Sequence, residues 1–319
     1  GYGELSPQTF GKSKGMGGVA YGLRDGSQVN AVNPASYTMT DSLTFIFDAG
    51  ISLQNTNLSD GTTKKNAGNS SFDYVAMQFR LHPRIGMTLG LLPYSNVGYN
   101  FYSSHTDDPS NRHSITYSGE GGLHQAFLGL GVKVIKNLSV GVNASYLWGD
   151  ITRVSAVNFP DGGKYNVNTE NYMSAKDIKV DVGVQYTHKL NKKNEITIGA
   201  VFSPKNNLNN DAYLQTQSVL RDSEGNVINY NTNKEDIETT YGLPMTIGAG
   251  LAYQYDKRLT VAADYTLQKW SDVKYRENND FYDMNKIALG LEYLPSTTGR
   301  TYFSYIKYRI GAYYSTPYY

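Results

Sequence analysis

From Leu43 onward the chain alternates apolar and polar residues with period two. Phe45, Phe47, Ala49, Ile51 and Leu53 stand against Ile46, Asp48, Gly50 and Ser52. The same pattern returns at Val75–Leu81, Ile85–Leu91, Ala126–Val134, Val140–Trp148 and Ile178–Tyr186. It continues at Ile196–Phe202, Ile247–Tyr253, Leu259–Leu267, Ile287–Tyr293 and Ile306–Ala312. Alternation of this kind gives a β-strand one apolar and one polar face. About eleven strands follow. Short turns at 82–84, 136–137, 191–194, 256–258 and 295–299 alternate strictly with long polar segments. Those segments, read as surface loops, are 54–71, 103–118, 151–177, 206–242 and 272–284. Short turns on one side and long loops on the other characterise up-and-down antiparallel transmembrane β-barrels.

The first 42 residues lack this period. The stretch Gly15–Tyr37 is rich in small residues and ends in the turn-forming Asn33-Pro34 pair. A compact glycine-rich segment before an all-β body is expected to lie inside the barrel. The expected division is therefore 1–42 as a lumen-filling unit and 43–319 as the barrel.

Composition narrows the class. Tyrosine supplies 28 residues of a 319-residue chain, and tyrosine favours membrane–water interfaces. Phe101, Tyr102, Tyr146, Trp148, Tyr186, Tyr253, Tyr255, Trp270 and Tyr293 are expected in such girdles. The net charge of +1 offers no footprint for nucleic acid. With no cysteine, disulfides, thiolate metal sites and cysteine nucleophiles are excluded. No run of 18 apolar residues is present to form a transmembrane helix. The abrupt start at Gly1 is that expected of a mature or trimmed product.

Candidate chemistry is sparse. Gly11-Lys12-Ser13 lacks the first glycine of a phosphate-binding loop, since position 6 is Ser6. Gly15-x-Gly17-x-x-Ala20 has no preceding strand and no βαβ unit, so it is not a dinucleotide site. The five histidines show no metal-ligand spacing. Ser118 and His124 flank a glycine-rich run, the nearest approach to a barrel hydrolase, and read better as a strand entry. Asp48, Asp181 and Asp264 face the lumen on separate strands.

Three stretches carry a family resemblance. Gly15, Met16, Gly17, Asp25, Ser27 and Asn33-Pro34-Ala35 resemble the N-terminal hatch of the FadL-type outer-membrane transporters, with Gly18 and Gly22 where alanines are common. Leu243-Pro244, Gly250, Tyr253, Asp264, Trp270 and Ser271 fit a second block of that family. Gly86, Gly90 and Pro93-Tyr94 stand where its third strand kinks, with Tyr94-Ser95 in place of the usual aromatic-glycine pair.

The resemblance implies a Gram-negative outer-membrane barrel of about fourteen strands. Its closing strands would lie beyond Tyr319; a smaller divergent barrel is the alternative. It also implies passive uptake of hydrophobic small molecules such as long-chain fatty acids, or of a lipid, with no cofactor, metal or catalysis. Ligand would leave sideways at a kink formed by Pro93, Tyr94, Ser95, Asn96 and Gly98. Asn33–Tyr37 would cover that kink from inside. The same family includes a barrel that serves as a shuttle of the type IX secretion machinery. A subunit of a larger envelope complex, with other outer-membrane proteins as partners, is therefore the second reading.

Overall fold

The computed structural model describes residues 2–59, 61, 64–106, 111–160, 163–222, 224–275, 281–298 and 301–319. Parts of the expected long loops, and residue 299 of an expected turn, lie outside that set. No helix is long and apolar enough to cross a membrane. The strands are β1 (Glu4–Leu5), β2 (Phe45–Ser59), β3 (Lys64–His82), β4 (Ile85–Pro93), β5 (Ser95–His105), β6 (His113–Ile135), β7 (Leu138–Asn158) and β8 (Tyr165–Lys189). They continue with β9 (Asn194–Ser203), β10 (Asn206–Arg221), β11 (Val227–Asp236), β12 (Tyr241–Leu243), β13 (Met245–Tyr255), β14 (Leu259–Lys269), β15 (Met284–Tyr293) and β16 (Tyr308–Ser315).

All pairings are antiparallel, and neighbours in the sheet follow chain order from β2 to β16. β4 and β5 both pair β6 and form one interrupted wall strand. β9 and β10 do the same on β8, and β11, β12 and β13 run down the next position. The described residues thus make eleven wall strands, the number given by the alternation. β2 and β16 stand at the two ends of this path and run in the same direction.

Facing follows the period. Val142, Val182, Leu130 and Leu289 point outward and are exposed, while Asn143, Gln185, Gly131 and Ala288 point inward and are buried. Outward apolar and inward mixed residues form the pattern of a wall in lipid.

The expected long loops are largely strand. β2 and β3 pair through Ser59 and Lys64, and β10 and β11 pair from Tyr213 to Val227. A barrel strand needs roughly 9–11 residues to cross the bilayer, whereas β6 has 23 and β8 has 25. Above the lipid both faces meet water, so polar residues occupy both and the hydropathy period vanishes while the hydrogen-bond ladder continues. The short turn expected at 295–299 is also longer. It runs from Leu294 to Lys307 and includes a 3-10 helix at Tyr302–Tyr305. Trp270 is not a girdle residue. It is fully buried among Tyr2, Phe281 and Tyr318 in an aromatic cluster inside the mouth of the sheet.

Candidate functional site: lumen, N-terminal segment and side gap

The inward face of the wall is shaped to receive the N-terminal segment. Gly86, Gly131, Gly141 and Gly183 lie directly opposite one another on β4, β6, β7 and β8. The 3-10 helix Pro34–Met39 rests on this row. A β-carbon on Gly86 would fall 2.0 Å from the Tyr37 carbonyl oxygen, and one on Gly141 would fall 2.4 Å from the Pro34 carbonyl carbon. Only glycine permits so close a backbone approach.

Asn33 organises the turn. Its Oδ1 accepts from Ala35 N at 3.1 Å, capping the helix, and its Nδ2 donates to the Tyr21 carbonyl at 2.8 Å. Pro34 occupies the first helical turn, where a missing N–H costs nothing. Tyr37 Oη donates to Asn143 Oδ1 at 2.9 Å, and Asn143 Nδ2 donates to the Ala31 carbonyl.

The other end of the segment is seated on β13–β16. Met16, Val19 and Leu23 pack against Ala252, Ala262 and Ala288. Each buried side chain of this size contributes roughly 1.5–3 kcal/mol. Gly17 has φ +70° and sits against Ala312 backbone atoms at a distance no side chain tolerates. Gly15 lies beside Arg309. Asp264 Oδ2 accepts from Ala20 N at 2.5 Å and Tyr21 N at 2.9 Å. Lys12 bridges Asp25 and Glu292 at 2.6 and 3.1 Å. Burial pushes the Asp25 carboxyl up, but Lys12 and Ser27 outweigh it and hold the group well below the usual carboxylate range. This part of the anchorage therefore persists at neutral pH and weakens only in strong acid. Asp25→Asn is expected to loosen the segment, read as faster tryptic cleavage after Arg24.

Between segment and wall lies a cavity of about 800 Å³. Leu92, Phe127, Val201, Met284 and Tyr313 line it, together with Lys286 and Asp264. Lys286 Nζ lies over the Tyr313 ring at 4.7 Å. No carboxylate lies within ion-pair distance of Lys286 among the described residues.

The wall is interrupted beside this cavity. β3 pairs β4 only as far as Val75↔Leu91. The chain bends at Tyr94, and β5 resumes on β6 without returning to β3. The neighbouring strands bend at the same level. Gly121, Gly122 and Gly149 take φ of +104°, +153° and +150°, and each is in close backbone contact across the ladder. Pro93, Tyr94, Ser95 and Asn96 lie at the break. Gly98 does not; it sits in regular ladder opposite Glu120. A second cavity of about 400 Å³ fills the gap, lined by Ser52, Ser71, Asp73, Pro93, Asn96 and His124. Six residues border both cavities: Glu4, Leu5, Ser6, Pro7, Lys14 and Ser52.

The cover over the break differs from expectation. Asn33–Tyr37 lies over Gly86 and Gly141, at the far end of β4. The residues at the break are Glu4–Gln8. β1 pairs Glu4 with Asn96 and Leu5 with Ser95. Ser6 N donates to the Tyr94 carbonyl at 3.0 Å, and Gln8 Nε2 donates to the Pro93 carbonyl at 3.2 Å. The period-two pattern gave no sign of this two-residue strand.

The hydrolase candidates do not meet. Ser118 and His124 are six residues apart on one strand, about 20 Å. No group of three or more potential metal ligands exists among the described residues. The three inward aspartates are dispersed. Asp48 accepts from Tyr74 Oη, Asp181 bonds Lys179 and Ser203, and Asp264 holds the N-terminal segment. Asp264 was marked in the sequence by its inward position and by the second block of the family resemblance, but neither showed that it holds the backbone of Ala20 and Tyr21.

An eleven-strand antiparallel wall, a filled lumen and a broken third strand give the chain the outer-membrane β-barrel fold shared by several solved hydrocarbon channels. The chain belongs to the BamG family, whose model matches residues 1–318. The structure is similar to the toluene transporter TodX of Pseudomonas putida, with a TM-score of 0.66, 15% identity and coverage of 99% of this chain and 85% of that one. It is also similar to the toluene transporter TbuX of Ralstonia pickettii, with a TM-score of 0.59, 14% identity and coverage of 99% and 87%. The monoaromatic hydrocarbon channel CymD matches with a TM-score of 0.60, 15% identity and coverage of 98% and 84%. A search of curated proteins returns no match.

Proposed function

We propose that this barrel admits hydrophobic small molecules across the outer membrane. Residues 1–42 act as a hatch, and the gap at Pro93–Asn96 is the side exit. The observation that carries the reading is the pair of cavities with common lining residues, one in the lumen and one in the broken wall. Unpaired backbone is tolerated at membrane depth only where protein or a water-filled cavity covers it. A gap of this kind is costly unless it serves passage. The fold shared with toluene and monoaromatic hydrocarbon channels supports the same class of cargo. Within that class we favour single-chain carboxylates such as long-chain fatty acids. Lys286, unpaired with any described carboxylate in a largely apolar cavity, suits an anionic head.

Uptake of labelled oleate into proteoliposomes tests the reading. Thr246 faces the lumen cavity, and Thr246→Trp is expected to lower uptake about tenfold while the barrel stays folded. Lys286→Gln should lower oleate uptake more than uptake of a neutral alkane. Unchanged oleate uptake in Thr246→Trp would reject the lumen route, and equal effects on both probes would reject the carboxylate preference.

The second reading, a subunit of a larger envelope assembly, is favoured by β11. Its ten residues are all exposed, it pairs only β10 among the described residues, and Val227–Asn233 carries no charge. An exposed uncharged edge is a template for another strand. Native mass spectrometry of the detergent-extracted protein separates the readings. Co-purified lipid supports transport, and a stably bound second chain supports assembly.

A further inference from the structure

The side gap is lined unlike the wall below it. Leu89 and Leu91, on the outward face of β4 just below the break, are apolar and exposed. Around the gap, Lys14, Ser52, Ser71, Asp73, Asn96 and His124 are polar. Lys14 Nζ donates to Asp73 Oδ2 at 2.6 Å, and Ser52 Oγ donates to Asp73 Oδ1 at 2.7 Å. Glu4 also borders the gap, is exposed, and makes no ion pair among the described residues. Register fixes the height. Pro93 stands opposite His124, and His124 opposite Trp148, which stacks on the outward Tyr146 at 5.8 Å between ring centroids. Such aromatics mark the level where hydrocarbon gives way to headgroups. β4 starts from the short turn at 82–84, so this is the outer of the two levels. Beyond Val75, β3 has no partner on its β4 side among the described residues, and its free backbone groups face the gap. Ionisable side chains and unpaired backbone are costly at membrane depth and persist where polar groups meet them.

We propose that the gap is a binding site for a zwitterionic glycerophospholipid of the outer leaflet. Among the described residues its lining holds one lysine, Lys14, no arginine, and two carboxylates, Glu4 and Asp73. The phosphate sits at Lys14 and the ammonium between Asp73 and Glu4. A lysine has several donors and a carboxylate several acceptor sites, so the Lys14–Asp73 pair keeps bonds free for a headgroup. The acyl chains stay in the hydrocarbon, against Leu89 and Leu91. A purely anionic head would meet an excess of negative charge here, and a fatty acid has no cation for the two carboxylates. The site follows from the gap's own residues and stands whether or not cargo crosses it.

The test uses delipidated protein in detergent, titrated with dioctanoyl phosphatidylethanolamine or dioctanoyl phosphatidylglycerol. The absence of native cysteine lets a fluorophore on His124→Cys report what enters the gap. A fluorophore on Val142→Cys, on the lipid-facing wall, controls for unspecific adsorption. The expected result is about tenfold tighter binding of the ethanolamine lipid, seen from His124→Cys and not from Val142→Cys. Glu4→Gln should weaken that preference. Glu4→Gln with Asp73→Asn should reverse it in favour of the glycerol lipid, because Lys14 alone remains. Side chains that only held the fold would change the binding of both lipids alike. Equal binding of the two lipids to the parent, an unchanged preference in both variants, or no response from His124→Cys would each overturn the site. Oleate uptake plays no part in these measurements, so a failed uptake reading and a failed lipid site are told apart.

Discussion

Replacing Val142 or Leu289 with arginine is expected to cost roughly 2–4 kcal/mol if the site lies near the bilayer midplane. Both side chains point out of the wall, at 41% and 58% exposure, in strand stretches whose outward residues are apolar, Val140 to Trp148 on β7 and Ile287 to Tyr293 on β15. An arginine there must sit in hydrocarbon or bend toward the headgroups. Thr246→Arg is the matched comparison. Thr246 faces the lumen cavity, where the guanidinium can meet water and polar groups, and a cost below about 1 kcal/mol is expected near such wet surroundings. Asn143 would be a poor comparison. Although it also faces inward, it bonds both Tyr37 and Ala31, so its loss also disturbs the N-terminal segment. Reversible unfolding in lipid vesicles measures all three. Equal costs for Val142→Arg and Thr246→Arg would reject the assigned facing.

The parts of the fold legible in the sequence were those where lipid enforces a rule. A strand between lipid and lumen must alternate, so the facing at Val140–Trp148 or Ile178–Tyr186 could be read residue by residue. Above the bilayer that constraint lapses. The polar ladder of β10 and β11 therefore read as loop, although its hydrogen bonding is as regular as that of the wall. The location of the wall break was legible at Pro93, because proline cannot donate to a ladder. The parts of the bend supplied by Gly121, Gly122 and Gly149 were not, because a glycine in a strand has many meanings. Trp270 shows the opposite error. An aromatic residue near a strand end matches a girdle by position, yet here it fills the mouth of the sheet, a tertiary fact that no local pattern carries. The contacts of Asp264 and of β1 belong to the same group, since both join residues at least 90 positions apart.

Valine at two wall glycines, Gly141→Val with Gly199→Val, is expected to expel the N-terminal segment while sparing the barrel. A β-carbon at Gly199 would fall 1.8 Å from the Tyr21 carbonyl oxygen, and one at Gly141 would fall 2.4 Å from the Pro34 carbonyl carbon. These atoms belong to backbone that is fixed on several sides, so a small side-chain adjustment cannot relieve the contact. Overpacking of this kind costs typically 1–3 kcal/mol per site. The strands themselves gain, because valine suits an extended backbone and glycine weakens it. The balance therefore falls on the segment: Asn33–Met39 must lift from the glycine row, and Tyr21 must leave its bonds to Asn33 and Gln185. The double variant should remain a heat-resistant barrel on gels. Its conductance should rise to that of a variant lacking residues 2–42, and Lys12, Lys14 and Arg24 should become open to trypsin. Parent-like conductance and protease resistance in a correctly folded double variant would show that the segment does not rest on the glycine row, and would reject this account of how the lumen is filled.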